Sequence, residues 1–177
     1  MFFRTFSISL PKIGKMAKIF GYYSDDIDRC WYDSSNVKYS ECVDKENELK
    51  TLRVVFSNGT QYEYTGVDVG KYLLFREDLS QGKALNKYIK SEGYEYRKLD
   101  DADIGQLNEE LEFRSSGGIY LVCMPNGIKL RNCKDEVIYS SDVEPDEDLV
   151  HMIKEIIESL GHKVQEKTED WNGNNIE

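Results

Sequence analysis

Two tyrosines, Tyr62 and Tyr64, stand two residues apart in an alternating stretch. At that spacing both rings share one face of a strand, where they can stack on a base or offer hydroxyls to a phosphate. The competing reading is that both belong to the core, because aromatic residues at strand spacing pack well on a pleated surface. A basic concentration follows in Arg76, Lys83, Lys87, Lys90 and Arg97, with Lys83 and Lys87 four residues apart on one helical surface. Such cations donate charge-assisted hydrogen bonds to phosphate, although a row of them is also what a solvated helix face carries. Asn86 adds an amide that can read a polar ligand edge or cap local backbone. The candidate ligand-binding set is Tyr64, Tyr72, Arg76, Lys83, Asn86, Lys87 and Arg97.

Covalent and metal chemistry find little to work with. A Cys or Ser nucleophile needs a His partner, and His151 and His162 fall on or just after a surface helix, far in sequence from any strained elbow. The 33 carboxylate residues offer no pair that spacing alone selects as acid and base. No catalytic residue is assigned, and no enzyme is expected. Cys30, Cys42, Cys123 and Cys133 include no Cys-x-x-Cys pair, so they read as reduced thiols of a cytoplasmic protein. Gly117-Gly118 precedes a strand and reads as a turn, not a phosphate loop. The acidic run from Asp142 to Asp148 lacks the ligand alternation of a calcium loop and suits a helix start instead. Neither metal nor cofactor is expected.

Around these residues the chain must build a framework. Its 177 residues suit one ordinary domain or two small lobes, and 40% hydrophobic with 12% aromatic residues suffices for a packed core. No stretch approaches the ~18–20 apolar residues of a membrane span. The formal charge of −10 repels a long phosphate backbone, whereas a closed pocket can still take a few phosphates. Residues 1–15 carry three cations and no acid, lack the apolar run of a signal peptide, and leave translation to start at Met1 or Met16.

The periodicity predicts an α+β protein. A strand and irregular turn over 17–32 follow the N-terminal extension. Alternation at Val37, Tyr39 and Cys42, at Leu52, Val54 and Phe56, and at Tyr62 and Tyr64 gives three antiparallel strands, the last two joined at Asn58-Gly59. Tyr72, Phe75 and Leu79 then mark one helix, and Leu85, Tyr88 and Ile89 a second. This lobe covers 33–99. The acidic stretch 100–112 reads as a linker or surface helix. Within the second lobe, 100–164, three short strands from Ile119, Ile128 and Val137 precede a helix starting near Pro145, with Leu149, Ile153, Ile156, Ile157 and Leu160 buried, His151 solvated and Gly161 at its end. Residues 165–177 read as a frayed tail, in which Trp171 is a stray residue or a docking peptide.

The order Ser35-Asn36-Val37-x-Tyr39, Leu52-x-Val54-x-Phe56, Asn58-Gly59, Tyr62-Glu63-Tyr64, Leu79-Ser80-x-Gly82, Asn86, Ile89, Tyr94 and Arg97 resembles the KTSC domain. Two departures stand out: the charged loop Val43 to Lys50, and Leu85 where an aromatic often precedes the asparagine. The resemblance implies a small sheet with helices on one face, no catalytic chemistry, and a role in binding RNA or nucleotides. KTSC modules occur alone in bacterial and viral proteins and fused to some lysyl-tRNA synthetases. The expected function is a non-catalytic protein holding a small anionic, nucleotide-like ligand in a pocket of Tyr64, Tyr72, Asn86 and Arg97. One concrete version is an oligomeric viral protein that sequesters a host defence signalling nucleotide. The alternatives are an RNA-binding module, and a protein-interaction factor whose acidic second lobe docks a basic partner.

Overall fold

The computed structural model describes residues 17–24, 26–44, 49–170 and 174–176. The basic N-terminal segment, both candidate start methionines and Trp171 lie outside the described residues. Residues 17–32 form a hairpin, β1 (Lys18–Ser24) and β2 (Ile27–Tyr32), where one strand and an irregular turn were predicted. Asp26 makes the turn at φ 63°, a conformation that aspartate tolerates. β3 (Val37–Asp44), β4 (Leu49–Phe56) and β5 (Gln61–Asp68) follow as the alternation predicts, and β6 (Tyr96–Leu99) was not foreseen. All six pair antiparallel in chain order.

This sheet is covered on both faces, whereas the resemblance implied helices on one. On the first face Tyr32, Val37, Cys42, Leu52, Val54, Tyr64 and Val67 pack against Tyr72, Phe75, Leu85 and Ile89 from the helices. On the second face Tyr22, Trp31, Tyr39 and Val55 form a separate core. Val37 and Tyr39 share sequence parity yet enter opposite cores, because the pairing of β3 with β4 shifts between them. A bulge adds one unpaired residue and so inverts the alternation beyond it.

α1 (Val69–Arg76) is capped by Asp68, whose carboxylate accepts from Lys71 N at 3.0 Å. It stops before Leu79, which is exposed and not part of the buried helical face that its spacing predicted. α2 (Gln81–Ala84) runs on through a π turn, Leu85–Ile89, and a 3₁₀ turn, Lys90–Glu92, and ends at Gly93 with φ 75°. Leu85 and Ile89 are buried as expected; Tyr88 is only partly so.

The stretch read as a linker or surface helix holds α3 (Ile104–Ser115), capped by Asp103 and fixed to both lobes. Ile104, Leu107 and Leu111 pack on the second face of the first sheet, and Trp31 Nε1 donates to Leu107 O at 3.2 Å. Phe113 packs instead on Tyr120 and Val122 of the next sheet.

The second sheet has the order β10-β7-β8-β9, built from β7 (Ile119–Met124), β8 (Gly127–Arg131), β9 (Val137–Ser141) and β10 (Val164–Thr168). β10 occupies the start of the predicted tail and runs parallel to β7. Between β9 and β10 lies α4 (Glu147–Ser159), with Asp146 as N-cap and Pro145 before it, so the proline does not take the first helical position. Ile157 is buried and Leu149, Val150 and Ile153 pack on the sheet, but Ile156 and Leu160 are exposed, contrary to the predicted stripe. A four-stranded sheet is too narrow for the full apolar arc of the helix. His151 is exposed beside Glu155, and Gly161 at φ 88° follows the helix end. Among the described residues no helix is long and apolar enough to cross a membrane.

Candidate aromatic ligand site

The seven residues of the predicted ligand set do not converge. Tyr64 and Tyr72 are 3% and 1% exposed in the core of the first face. Arg76 is held by Asp28 and by Glu77 at 2.6 Å, with its guanidinium 5.9 Å from the Tyr72 ring. Lys83, Asn86 and Lys87 point to solvent from the outer side of the α2 segment, because Ala84, Leu85 and Ile89 take its inner side. Lys87 reaches only the neighbouring Tyr88 hydroxyl, at 2.8 Å. Arg97 pairs with Glu63 across β5 and β6, on the face opposite Tyr64, where Nε donates at 2.9 Å. A pocket of Tyr64, Tyr72, Asn86 and Arg97 is therefore absent: sheet alternation separates Arg97 from Tyr64, and helix periodicity separates Asn86 from Tyr72.

One member of the set, Tyr64, does line a cavity. That cavity, of about 450 Å³, is bounded by Tyr62, Tyr64, Tyr94, Tyr96, Gly93 and Lys90. Its position follows from three local features. Tyr62 and Tyr64 sit on one face of β5, and Tyr96 is the cross-strand partner of Tyr64. Gly93, left-handed, ends the 3₁₀ turn and directs the chain through Tyr94 into β6. The π turn places Lys90 just beyond the buried Ile89, with its ammonium 5.5 Å from the Phe56 ring centroid.

The rings make a chain of tilted contacts. Phe56 meets Tyr62 at 5.9 Å, Tyr62 meets Tyr96 at 6.0 Å, and Tyr96 meets Tyr64 at 5.8 Å between centroids. These are favourable edge and tilted geometries, and Tyr96, 67% exposed, is the ring of the chain most open to a further planar group. Burial, with Tyr62 and Tyr96 adding to it, pushes the Tyr64 phenol up to about 12, so it stays protonated at neutral pH. Lys90 has no carboxylate partner among the described residues. An adjoining cavity shares Tyr62 and Lys90 and adds Asn36, Phe56, Ser57 and Asn58. Together these supply apolar faces, hydroxyl and amide donors, and one cation.

The model of the KTSC domain matches residues 33–94. The aromatic site lies at the C-terminal limit of that KTSC match, with Tyr62, Tyr64, Lys90 and Tyr94 inside it and Tyr96 just beyond. No curated protein and no solved structure matches the chain.

Of the predicted set only Tyr64 lines this cavity; Tyr62 and Lys90 were noted in the sequence but left out of the set, and Tyr94 and Tyr96 were not considered for it. The available signal was a repeat: Tyr62-Glu63-Tyr64 recurs as Tyr94-Glu95-Tyr96. Two such stretches on paired strands put their tyrosines on one face.

Proposed function

We propose that this chain is a non-catalytic binding protein that holds a small nucleotide-like ligand at the aromatic site of its KTSC domain. The base stacks on the tyrosine rings and the phosphate faces Lys90. One observation carries this reading: four tyrosines and an unpaired lysine line a single cavity of about 450 Å³. Ligand sites of roughly 300–1,000 Å³ with aromatic walls and few polar groups are the usual form for small molecules. A net charge of −10 favours a short anion over a long nucleic acid, which must cross the whole repulsive field. The four free thiols suit a reducing cytoplasm. In its most specific form the function is sequestration of a signalling nucleotide.

Calorimetry against mononucleotides, cyclic dinucleotides and their parent nucleosides tests this. Tyr96→Ala is expected to weaken binding by about 1–3 kcal/mol, the worth of one stacked base. Lys90→Gln should weaken nucleotides and spare nucleosides, and Asn86→Ala should change neither. No heat with any nucleotide would sink the proposal. Affinity confined to single-stranded RNA, with a steep salt dependence, would favour the RNA-binding alternative instead. Native mass spectrometry of the same sample reads subunit number and any co-purified ligand.

A further inference from the structure

The second face of the first sheet carries charges in register. Arg29 pairs with Glu41, Glu41 with Arg53, Arg53 with Glu63, and Glu63 with Arg97. Residues directly opposite on antiparallel strands share a face, so the sign alternates across five strands. Part of this row faces the second lobe across a cleft of about 410 Å³, closed on one side by α3. The cleft wall gathers Arg29, Arg53, Arg114, Arg131 and Lys167 against Glu41, Glu110, Asp135 and Glu169. Five cations to four carboxylates is a local reversal in a chain whose net charge is −10.

All four carboxylates are engaged. Glu41 accepts from Arg29 Nε at 2.9 Å and from the Tyr39 hydroxyl at 3.0 Å. Glu110 accepts from Arg114 Nε at 2.8 Å. Asp135 accepts from the Tyr22 hydroxyl at 2.9 Å and from Arg114 at 3.3 Å. Glu169 takes both terminal nitrogens of Arg131, at 2.8 and 3.0 Å. Of these bonds, the one from the Tyr22 hydroxyl to Asp135 joins the first sheet to the second lobe.

Two cations of the cleft lack a short ion pair. Arg53 comes no closer than 3.8 Å to Glu41, and its buried Nε has no hydrogen-bond partner. Lys167 has no carboxylate at ion-pair distance among the described residues, and its ammonium lies 3.9 Å from the centroid of the Tyr120 ring. Burial holds that ammonium below its ordinary range; Arg114 and Arg131 act in the same sense, and Asp135 and Glu110 oppose them. A cation entering this cleft finds no free carboxylate, whereas an anion finds donors without acceptors.

We infer that the cleft between the two sheets is a second binding site, for a small phosphate-bearing anion that bridges Arg53 of the first sheet and Lys167 of the second. It lies on the other side of the sheet from the aromatic site and stands or falls without it. A guanidinium fork and a flexible ammonium are the two groups that suit a tetrahedral phosphate from opposite walls.

The full chain is titrated with inorganic pyrophosphate at low ionic strength, by calorimetry and by thermal melting, with citrate as the carboxylate counterpart. Pyrophosphate is expected to bind and to raise the melting temperature. Arg53→Gln and Lys167→Gln should each weaken it tenfold or more, while Lys90→Gln leaves it unchanged. Neither substitution removes a short ion pair, and the two lie on different sheets, so failure of one to fold leaves the other as the test. Absence of pyrophosphate binding, or affinity equal to the parent's in a folded variant, would overturn the inference. Tighter binding of citrate would overturn its phosphate assignment.

Discussion

Gly118 approaches Phe113 so closely that a Cβ on the glycine would stand 2.5 Å from two carbons of the ring. The Gly118 amide also donates to Phe113 O at 3.0 Å. Phe113 is the residue by which α3 reaches the second sheet, 4.8 Å from Tyr120 between ring centroids. Tyr120 in turn lies beneath Arg114 and Lys167. A bare backbone at one turn thus seats the aromatic layer under the cleft.

Gly118→Ala should therefore destabilise the fold by about 1–3 kcal/mol, the usual cost of overpacking a filled core. The urea midpoint should fall with the slope unchanged. A variant as stable as the parent would show that Phe113 can yield.

The tyrosines of the first core divide by whether their hydroxyls are satisfied. Tyr32 shares a 2.8 Å hydrogen bond with Ser40, both fully buried, while the buried Tyr72 hydroxyl has no partner. Tyr32→Phe is expected to cost about 1–2 kcal/mol, since it leaves Ser40 without its partner. Tyr72→Phe should be neutral or stabilising by about 1 kcal/mol, because it removes a hydroxyl buried without compensation. Denaturant melts of the two variants side by side decide this; a large loss from Tyr72→Phe would contradict the packing described.

Burial pushes the Cys30 and Cys42 thiols up to about 12, with Asp28 the next cause at Cys30. The folded chain then binds these protons more tightly than the unfolded one, whose thiols titrate near 9. Their contribution to stability is complete below about pH 9 and is lost as pH rises toward 12, with the Tyr64 phenol adding to the loss above about 10. Stability should be flat from neutrality to about pH 9 and should fall steeply beyond it. Maleimide at neutral pH should label the partly exposed Cys133 and spare Cys30 and Cys42 until the chain unfolds. Equal labelling rates in the native protein would refute this burial.

Tyr96 and Tyr64 separate binding from folding. Tyr96 is 67% exposed and Tyr64 3%. Tyr64→Ala should cost about 3–5 kcal/mol, as for other large core truncations, whereas Tyr96→Ala should stay within about 0.5 kcal/mol. Ligand affinity can then be read from Tyr96→Ala without loss of the fold, with thermal melting as the check.

Much of the first lobe could be read in the sequence because its signals are local. Asn58-Gly59 fixes a hairpin, the alternation through Leu52, Val54 and Tyr64 fixes one inward face, and Gly117-Gly118 fixes a turn. β6 escaped because Arg97 and Lys98 beside Tyr96 and Leu99 look like any polar run. β10 escaped because Val164–Thr168 carries Gln, Glu and Lys on an exposed edge. Neither strand buries enough apolar surface to show a period.

The candidate sites divide the same way. Composition and pattern alone determined an acidic α+β chain with tyrosines aligned on one face of a strand, and the order of particular residues in its middle carried the resemblance to the KTSC domain. Only the tertiary structure decided which cations those tyrosines meet. It turned Asn86 and Arg97 away, brought Lys90 and Tyr96 in, and gathered Arg53, Arg114, Arg131 and Lys167 from four separate elements around one cleft. A one-residue bulge reverses, and a single π turn rotates, the face on which later side chains stand, and side-chain type does not record it. Charge convergence is a property of paired strands and packed layers, so it is written in register and not in spacing.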